Sequence, residues 1–347
     1  MYAIKLNFKL KILITADPFI PVPPIHYGGI ERILDMLIKE YLKAGHDVTL
    51  IGHPGSKPAK GCRFIPYSSD KDNVFKNSLL ITRSYLKYRF DVIHSFSRLF
   101  YLFPLLPFGV QKIMSYQREP TLSQIKKAVQ LSKKKTIAFT GCSDYISNQI
   151  ATVGDAYTVY NGVSLESFHF NSNVGADAPL VFLGRIEEIK GTHVAIEVAI
   201  KTNKKLIIAG NIPAEHQQYF EEKVKPYLND NITYIGPVND LHKNELLQNA
   251  AAFLMPILWN EPFGIVMAEA MACGTPVIGF AKGSVPEVVK NNVTGFTCNT
   301  IDEMIHAVNS ISIIKRETVR LDAENRFSAE KICEAYLNIY NKSLKNV

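Results

Sequence analysis

The sequence predicts an α/β protein of two domains, each a parallel sheet covered by helices. Three observations carry this. Short apolar strands alternate with segments of helical period along the whole chain, the pattern of parallel βαβ units. The alternation restarts after a polar break, where Asn161-Gly162-Val163 reads as a hinge and residues 171–179 as a loop punctuated by Gly and Pro. The 347 residues suit two domains, each long enough to bury its own core.

The first half opens on the strand Lys11-Ile12-Leu13-Ile14-Thr15, a Pro-rich loop and Gly28-Gly29. Apolar Ile30, Ile33, Leu34, Leu37, Ile38 and Tyr41 then recur with helical spacing, and Gly45 ends that helix. Strands follow at residues 48–51, 91–95, 112–116, 136–140 and 155–160. The second half repeats the pattern, with strands at residues 180–183, 205–210, 232–236, 251–256 and 276–280 and a helix at 193–200. A last helix, residues 328–344, carries apolar Ile332, Ala335, Tyr336, Ile339 and Tyr340.

Composition excludes several classes. An apolar content of 47% with 20% charged residues is that of a globular protein, and no apolar run has the length of a membrane span. The opening eleven residues hold three lysines and no apolar core of signal-peptide length, so the expected location is the cytoplasm. The five cysteines are scattered and form no C-x-x-C pair, which argues against a disulfide framework or a zinc site. The net charge of +7 is uneven, with 22 Lys and Arg against 11 Asp and Glu in residues 1–163. Such a half suits weak peripheral attraction to anionic lipid, with Lys126-Lys127 and Lys133-Lys134-Lys135 as its densest clusters. Each cluster read alone is a solvated face. Nucleic acid is not expected, because aromatics and basic residues form no recognisable module.

The most informative run is Asn260-Glu261-Pro262-Phe263-Gly264-Ile265-Val266-Met267-Ala268-Glu269. Two carboxylates stand eight positions apart, the first before a Pro-Phe-Gly turn and the second on a short helix stopped by Gly274 and Pro276. The start of that helix offers unpaired amides and a positive dipole end to a phosphate. Upstream, Gly184-Arg185-Ile186-Glu187-Glu188-Ile189-Lys190-Gly191 follows a strand and places two cations in one loop, where they can stabilise a leaving diphosphate. Pairing of Arg185 with Glu187 or Glu188 is the plainer alternative.

These runs resemble the E-x7-E and G-R-x4-K-G elements of the retaining glycosyltransferases of the GT-B fold, family 4, and the resemblance covers most of the chain. It implies two Rossmann-like domains facing each other across a deep cleft, with a C-terminal helix crossing back to the first. The first domain, residues 1–163 with 328–347, would bind acceptor, and residues 164–327 would bind the nucleotide sugar. It implies that Arg185 and Lys190 hold the diphosphate together with the amides of Phe263, Gly264, Ile265 and Val266. Glu269 would bind the ribose and Glu261 the transferred sugar. Gly28 and Gly29 match the family's glycine pair near the donor phosphates. They lack the full G-x-G-x-x-G fingerprint, so no nicotinamide cofactor is indicated.

His94 ends a strand expected to face the cleft and is a candidate catalytic or acceptor contact. Where many members carry a further His, this chain has Gln117, followed by Arg118. Gln can hydrogen-bond a hydroxyl but cannot carry a proton, so the acceptor contact there departs from the family's. The resemblance implies retention of configuration, no cofactor and no metal. Asp70-Lys71-Asp72 has D-x-D form but reads as a solvated turn. The expected reaction is hexosyl transfer from a nucleotide sugar, by default a UDP-hexose over GDP or ADP, to a sugar or lipid-linked acceptor in cell-envelope or surface glycan synthesis. A sugar-nucleotide epimerase and a non-catalytic nucleotide-sugar-binding protein are the alternatives.

Overall fold

The computed structural model describes residues 9–25, 28–69, 71 and 73–344. The opening eight residues, Asp70 and Asp72 lie outside the described residues. The chain divides into two compact units. One runs up to Gly162 and takes in the segment from Ala329; the other is Val163–Ser328.

In the first unit the chain runs through β1 (Lys11–Thr15), α1 (Gly29–Lys43), β2 (Asp47–Gly52), β3 (Arg63–Pro66), α2 (Val74–Tyr88) and β4 (Val92–Ser95). A 3₁₀ turn, Leu99–Leu105, precedes β5 (Gln111–Tyr116), α3 (Leu122–Leu131), β6 (Ile137–Gly141), α4 (Asp144–Ala151) and β7 (Ala156–Thr158). The sheet order is β3-β2-β1-β4-β5-β6-β7, and its pairings are parallel. Strands buried on both faces need continuous apolar runs, and Ile12, Leu13 and Ile14 of β1 are all fully buried.

The second unit contains β8 (Leu180–Leu183), α5 (Thr192–Thr202), β9 (Leu206–Ala209), α6 (Gln217–Lys223), β10 (Ile232–Tyr234) and α7 (Asp240–Gln248). It continues with β11 (Ala252–Met255), α8 (Ile265–Ala272), β12 (Val277–Phe280), α9 (Val285–Val288), β13 (Gly295–Cys298), α10 (Ile301–Asn309) and α11 (Arg316–Phe327). Its order is β10-β9-β8-β11-β12-β13, again parallel. Leu180, Phe182, Ile208, Leu254 and Ile278 point from one face into the cluster that holds Val194 and Val198 of α5 and Met304 of α10. In both sheets the order of strand addition reverses at one place, between β1 and β4 and between β8 and β11. Such switch points open a crevice beyond the carboxyl ends of the strands, where ligands of these folds bind.

The last helix, α12 (Ala329–Leu344), belongs to the first unit. Its Ile332, Tyr336, Ile339 and Tyr340 are buried there, and the Tyr340 hydroxyl lies 2.9 Å from that of Tyr41 on α1. The chain leaves the second unit where Val163 N–H donates to the Phe327 carbonyl at 2.8 Å.

His94 corrects an expectation. It lies within β4 with no exposure, rather than at a ligand-facing strand end. Its Nδ1 is 2.6 Å from the Tyr340 hydroxyl and its Nε2 2.6 Å from Ser115 Oγ, which in turn contacts Thr140 and Tyr336. Both ring nitrogens are used inside the protein, and burial depresses the imidazole to about 3. A neutral His with both nitrogens occupied fastens α12 to the sheet and has no atom left for substrate.

Candidate active site

The two sequence elements converge at the β8/β11 switch point. The loop after β8 carries Arg185 and Lys190, and the loop after β11 carries Trp259 and Glu261. Because β8 and β11 are hydrogen-bonded neighbours, their loops emerge side by side. Leu258 N–H donates to the Ile189 carbonyl at 2.8 Å and ties the loops together. Gly191 makes this approach possible: it has φ 74°, and a Cβ there would stand 1.9 Å from the Pro256 carbonyl oxygen.

Lys190 Nζ donates to Glu261 Oε2 at 2.5 Å, and the same oxygen accepts from Trp259 Nε1 at 3.0 Å. The ammonium also lies 4.9 Å from the centre of the Trp259 ring. Glu261 is held from behind by the turn after β12. Ser284 N–H donates to the Glu261 carbonyl and Ser284 Oγ to the Phe263 carbonyl, both at 2.9 Å. Gly283, with φ 56°, lies so close that a Cβ would meet the Glu261 carbonyl at 2.3 Å.

Arg185 rests on Glu187, with Nη2 2.8 Å from Oε1. This is the ion pair that the sequence offers as the plainer alternative. Glu187 is buried, and its second oxygen lies 3.5 Å from His216 Nε2. The Arg185 side chain itself is 44% exposed, so its guanidinium can exchange a carboxylate for a phosphate without uncovering core.

Helix α8 begins after Gly264 with no side-chain cap and no acid in its first turn, which leaves the dipole end and the amides of Ile265 and Val266 suited to an anion. Its other end is fixed by arginines of α11. Arg316 Nη2 donates to the Cys273 carbonyl at 3.3 Å and to Thr275 Oγ1 at 2.9 Å, and Arg320 donates to the Ala272 carbonyl. Cations at a helix C-terminus oppose its partial negative charge, so the helix is pinned with its N-terminus outward. The Phe263 side chain is buried against Phe327; only its backbone is of use to a ligand.

Glu269, one turn into α8, is 4% exposed and accepts from Lys243 of α7, which also lies 3.4 Å from Asp240. Lys243 escapes a reading of the sequence, since nothing in residues 240–248 announces a pairing 26 positions away. Trp259 carried a usable signal: it is the only tryptophan and stands two residues before Glu261. His216, Gly283 and Ser284 carry no such signal in the sequence as supports of the site.

Arg185, Lys190, Glu261, Phe263, Gly264, Ile265, Val266 and Glu269 thus lie in one unit, while Gly28, Gly29, His94, Gln117 and Arg118 lie in the other. Gly28 precedes α1, whose first turn already holds a buried acid, Glu31; burial raises that carboxyl. Gln117 Oε1 accepts from Asn161 Nδ2 at 2.7 Å, and Arg118 is exposed. A groove of about 550 Å³ on the second unit, lined by Ile207, Ile235, Pro237, Val238 and His242, includes none of the motif residues. Among the described residues no cluster of His, Cys, Asp and Glu could hold a metal, and no helix is long and apolar enough to cross a membrane.

Comparison with known proteins bears on the fold and the family. Residues 166–327 match the family described as glycosyl transferases group 1. Spore coat protein SA of Bacillus subtilis (strain 168) is 22% identical over 384 residues, covering 96% of this chain and 100% of that protein. The crystal structure of AviGT4, a glycosyltransferase involved in avilamycin A biosynthesis, is similar at 25% identity with a TM-score of 0.75 over 97% of this chain and 99% of that one. HepE from Anabaena in complex with UDP-glucose shares the fold at 16% identity, with a TM-score of 0.71 over 97% of this chain and all of that one. The unit that carries the two motifs, residues 166–327, is thus a domain of the group 1 glycosyltransferases, a retaining family of the GT-B fold.

Proposed function

We propose that the chain transfers a hexose from a UDP-sugar to an acceptor hydroxyl, with retention of anomeric configuration, in the synthesis of a cell-envelope or surface glycan. The observation that carries this reading is the pairing of Lys190 with Glu261 beside the uncapped start of α8. A cation, a carboxylate and a helix start without a side-chain cap meet at one switch point, the combination that suits a diphosphate joined to a polyhydroxyl sugar.

In this reading Arg185 leaves Glu187 for the donor diphosphate, while Lys190 and the amides of residues 263–266 hold its β-phosphate. As the bond between the sugar C1 and the phosphate oxygen breaks, negative charge grows on that phosphate. Fixed donors in place beforehand stabilise it without reorganisation. The acceptor oxygen attacks C1 from the face that the phosphate leaves, and its proton passes to a phosphate oxygen. Glu261, positioned by Trp259 and Ser284, accepts from hydroxyls of the hexose, and Glu269 accepts from the ribose. The acceptor is a sugar or lipid-linked sugar bound by the first unit, with Gln117 and Arg118 as contacts. The preference for UDP is supported by HepE, whose structure holds UDP-glucose.

Thermal stabilisation by UDP-, GDP- and ADP-hexoses tests the donor, since a ligand of the native state raises apparent stability. The reading requires the UDP-sugar to stabilise most and Glu269→Ala to abolish that shift. Product analysis with donor alone tests the reaction: conversion into an epimeric nucleotide sugar without acceptor would overturn transfer.

A further inference from the structure

Helix α2 is built the wrong way round for a helix that packs only against its own domain. Its buried positions are Asn77, Ser78, Ile81 and Ser84, three of them polar. Asn77 Nδ2 donates to the Tyr101 hydroxyl at 3.1 Å and Ser78 Oγ to the Phe100 carbonyl at 3.4 Å, so these polar groups are satisfied inside. The outward stripe carries three large apolar side chains, with Phe75 79% exposed and Leu79 and Leu86 each 47%. An amphipathic helix on a globular domain shows the opposite pattern.

The neighbouring 3₁₀ turn enlarges the stripe. Phe100 is 43% exposed, meets Phe75 edge-on at 6.1 Å and stacks on Phe103 at 5.2 Å. Positive charge is interleaved with it: Lys76, Arg83 and Lys87 are exposed on α2. Residues 73–118 contain seven Lys and Arg, all exposed except the buried Lys112, and a single acid, Asp91, whose carboxylate accepts the backbone N–H of Lys11 at 2.7 Å.

We propose that the outer face of α2 and the adjoining 3₁₀ turn dock onto an anionic lipid bilayer. Apolar side chains on such a face enter the headgroup boundary while Lys and Arg meet lipid phosphates, and the two contributions add. A second copy of the chain fits poorly, because a two-fold contact would set Lys76, Arg83 and Lys87 against the same cations. This inference is independent of the donor reading, since it uses no residue of the second unit.

Co-sedimentation of the full chain with vesicles of phosphatidylcholine alone, and of equal parts phosphatidylcholine and phosphatidylglycerol, tests it. The expected result is partition to the anionic vesicles at least about ten-fold stronger, weakening as salt rises. Each charge removed from the face should cost about five-fold, so Lys76→Glu with Lys87→Glu should lose well over ten-fold. Phe75→Ser with Phe100→Ser should remove the part that survives high salt. Circular dichroism and the melting temperature of these variants should match the parent, because the altered side chains face outward; Leu79→Gln is the milder substitute if they do not. Equal partition to both vesicle types, variants that sediment like the parent, or a dimer in lipid-free solution that Phe75→Ser dissociates would each overturn the proposal.

Discussion

Each unit encloses a polar cluster near the middle of its sheet, and the two clusters are built on different terms. Around His94 the members are neutral, the cluster is buried, and both ring nitrogens are used by Tyr340 and Ser115. Around Lys190 and Glu261 the members are charged and keep some exposure, 17% and 13% for the two side chains. A closed neutral network joins secondary elements and resists exchange. An ion pair at the mouth of a switch point can open toward a ligand that carries charge of its own. Position at a strand end therefore says less about function than charge and residual access do.

The largest effect that would break this contrast is expected at the open cluster. Lys190→Gln keeps a hydrogen-bond donor for Glu261 but removes the charge, and Arg185→Ala removes the other cation. Each should lower kcat/KM for transfer by about 10²–10³, the usual loss when a fixed electrostatic donor is removed. Because Arg185 is half-exposed, its variant should melt like the parent. Near-full activity in both would place the diphosphate elsewhere.

His94→Ala should do the reverse. It leaves a cavity and strips the Tyr340 and Ser115 hydroxyls of a partner, which should cost about 3 kcal/mol of stability in denaturant while the KM for donor stays unchanged. The pH dependence follows from its depressed pKa. The unfolded imidazole titrates near 6.5 and the folded one near 3, so the unfolded chain takes up the proton first as pH falls. The contribution of the neutral His is complete above pH 6.5 and drains toward pH 3, by roughly 1 kcal/mol per pH unit. Denaturation curves of the variant should lack this slope; an unchanged slope would mean that His94 is not the titrating group.

The same contrast explains what the sequence could reveal. Helices α1 and α12 are readable because their apolar residues recur with helical period and point inward, as in Ile33, Leu34, Leu37 and Ile38; α8 and most of the parallel strands are readable as apolar runs between turn signals, while β3 and β13 escape. Helix α2 is not readable by that rule: Phe75, Leu79 and Leu86 point outward, and three of the four inner positions are Asn, Ser and Ser. The expected membrane attraction rests on the positive charge of the first half as a whole, whereas the apolar part of such a face depends on which side of α2 is covered, and periodicity alone does not say. At the site, Arg185, Lys190, Glu261 and Glu269 are each marked by a local run. Lys243 and Gly283 are not, because their roles arise from chain crossings 26 and 22 positions away from Glu269 and Glu261. The surroundings of His94 are not legible locally, because one of its partners, Tyr340, comes from α12, 246 positions on, and the other, Ser115, from β5.

Two substitutions behind the open cluster sharpen the comparison further. Gly283→Ala forces a Cβ against the Glu261 carbonyl at a left-handed φ, where strain of roughly 1–3 kcal/mol is usual. If Glu261 must be held in place, kcat should fall about ten-fold with little change in donor affinity; a loss of affinity alone would mean that Glu261 serves binding only.

The smallest effect is expected at Lys243, which touches Glu269 and lies outside both motifs. If Lys243 orients the carboxylate for ribose, Lys243→Met should raise the KM for donor about five-fold and leave kcat nearly unchanged, since it removes ground-state and transition-state binding alike. A merely structural lysine would lower the melting temperature without that split. Glu269→Gln and the double variant complete a cycle. Residues in direct contact are coupled, so the double variant should bind donor little worse than Glu269→Gln alone. Additive losses would show that Lys243 and Glu269 act separately. Lys243 would then be only the counter-ion that makes a buried carboxylate tolerable, and Glu269 would owe its orientation to α8 itself.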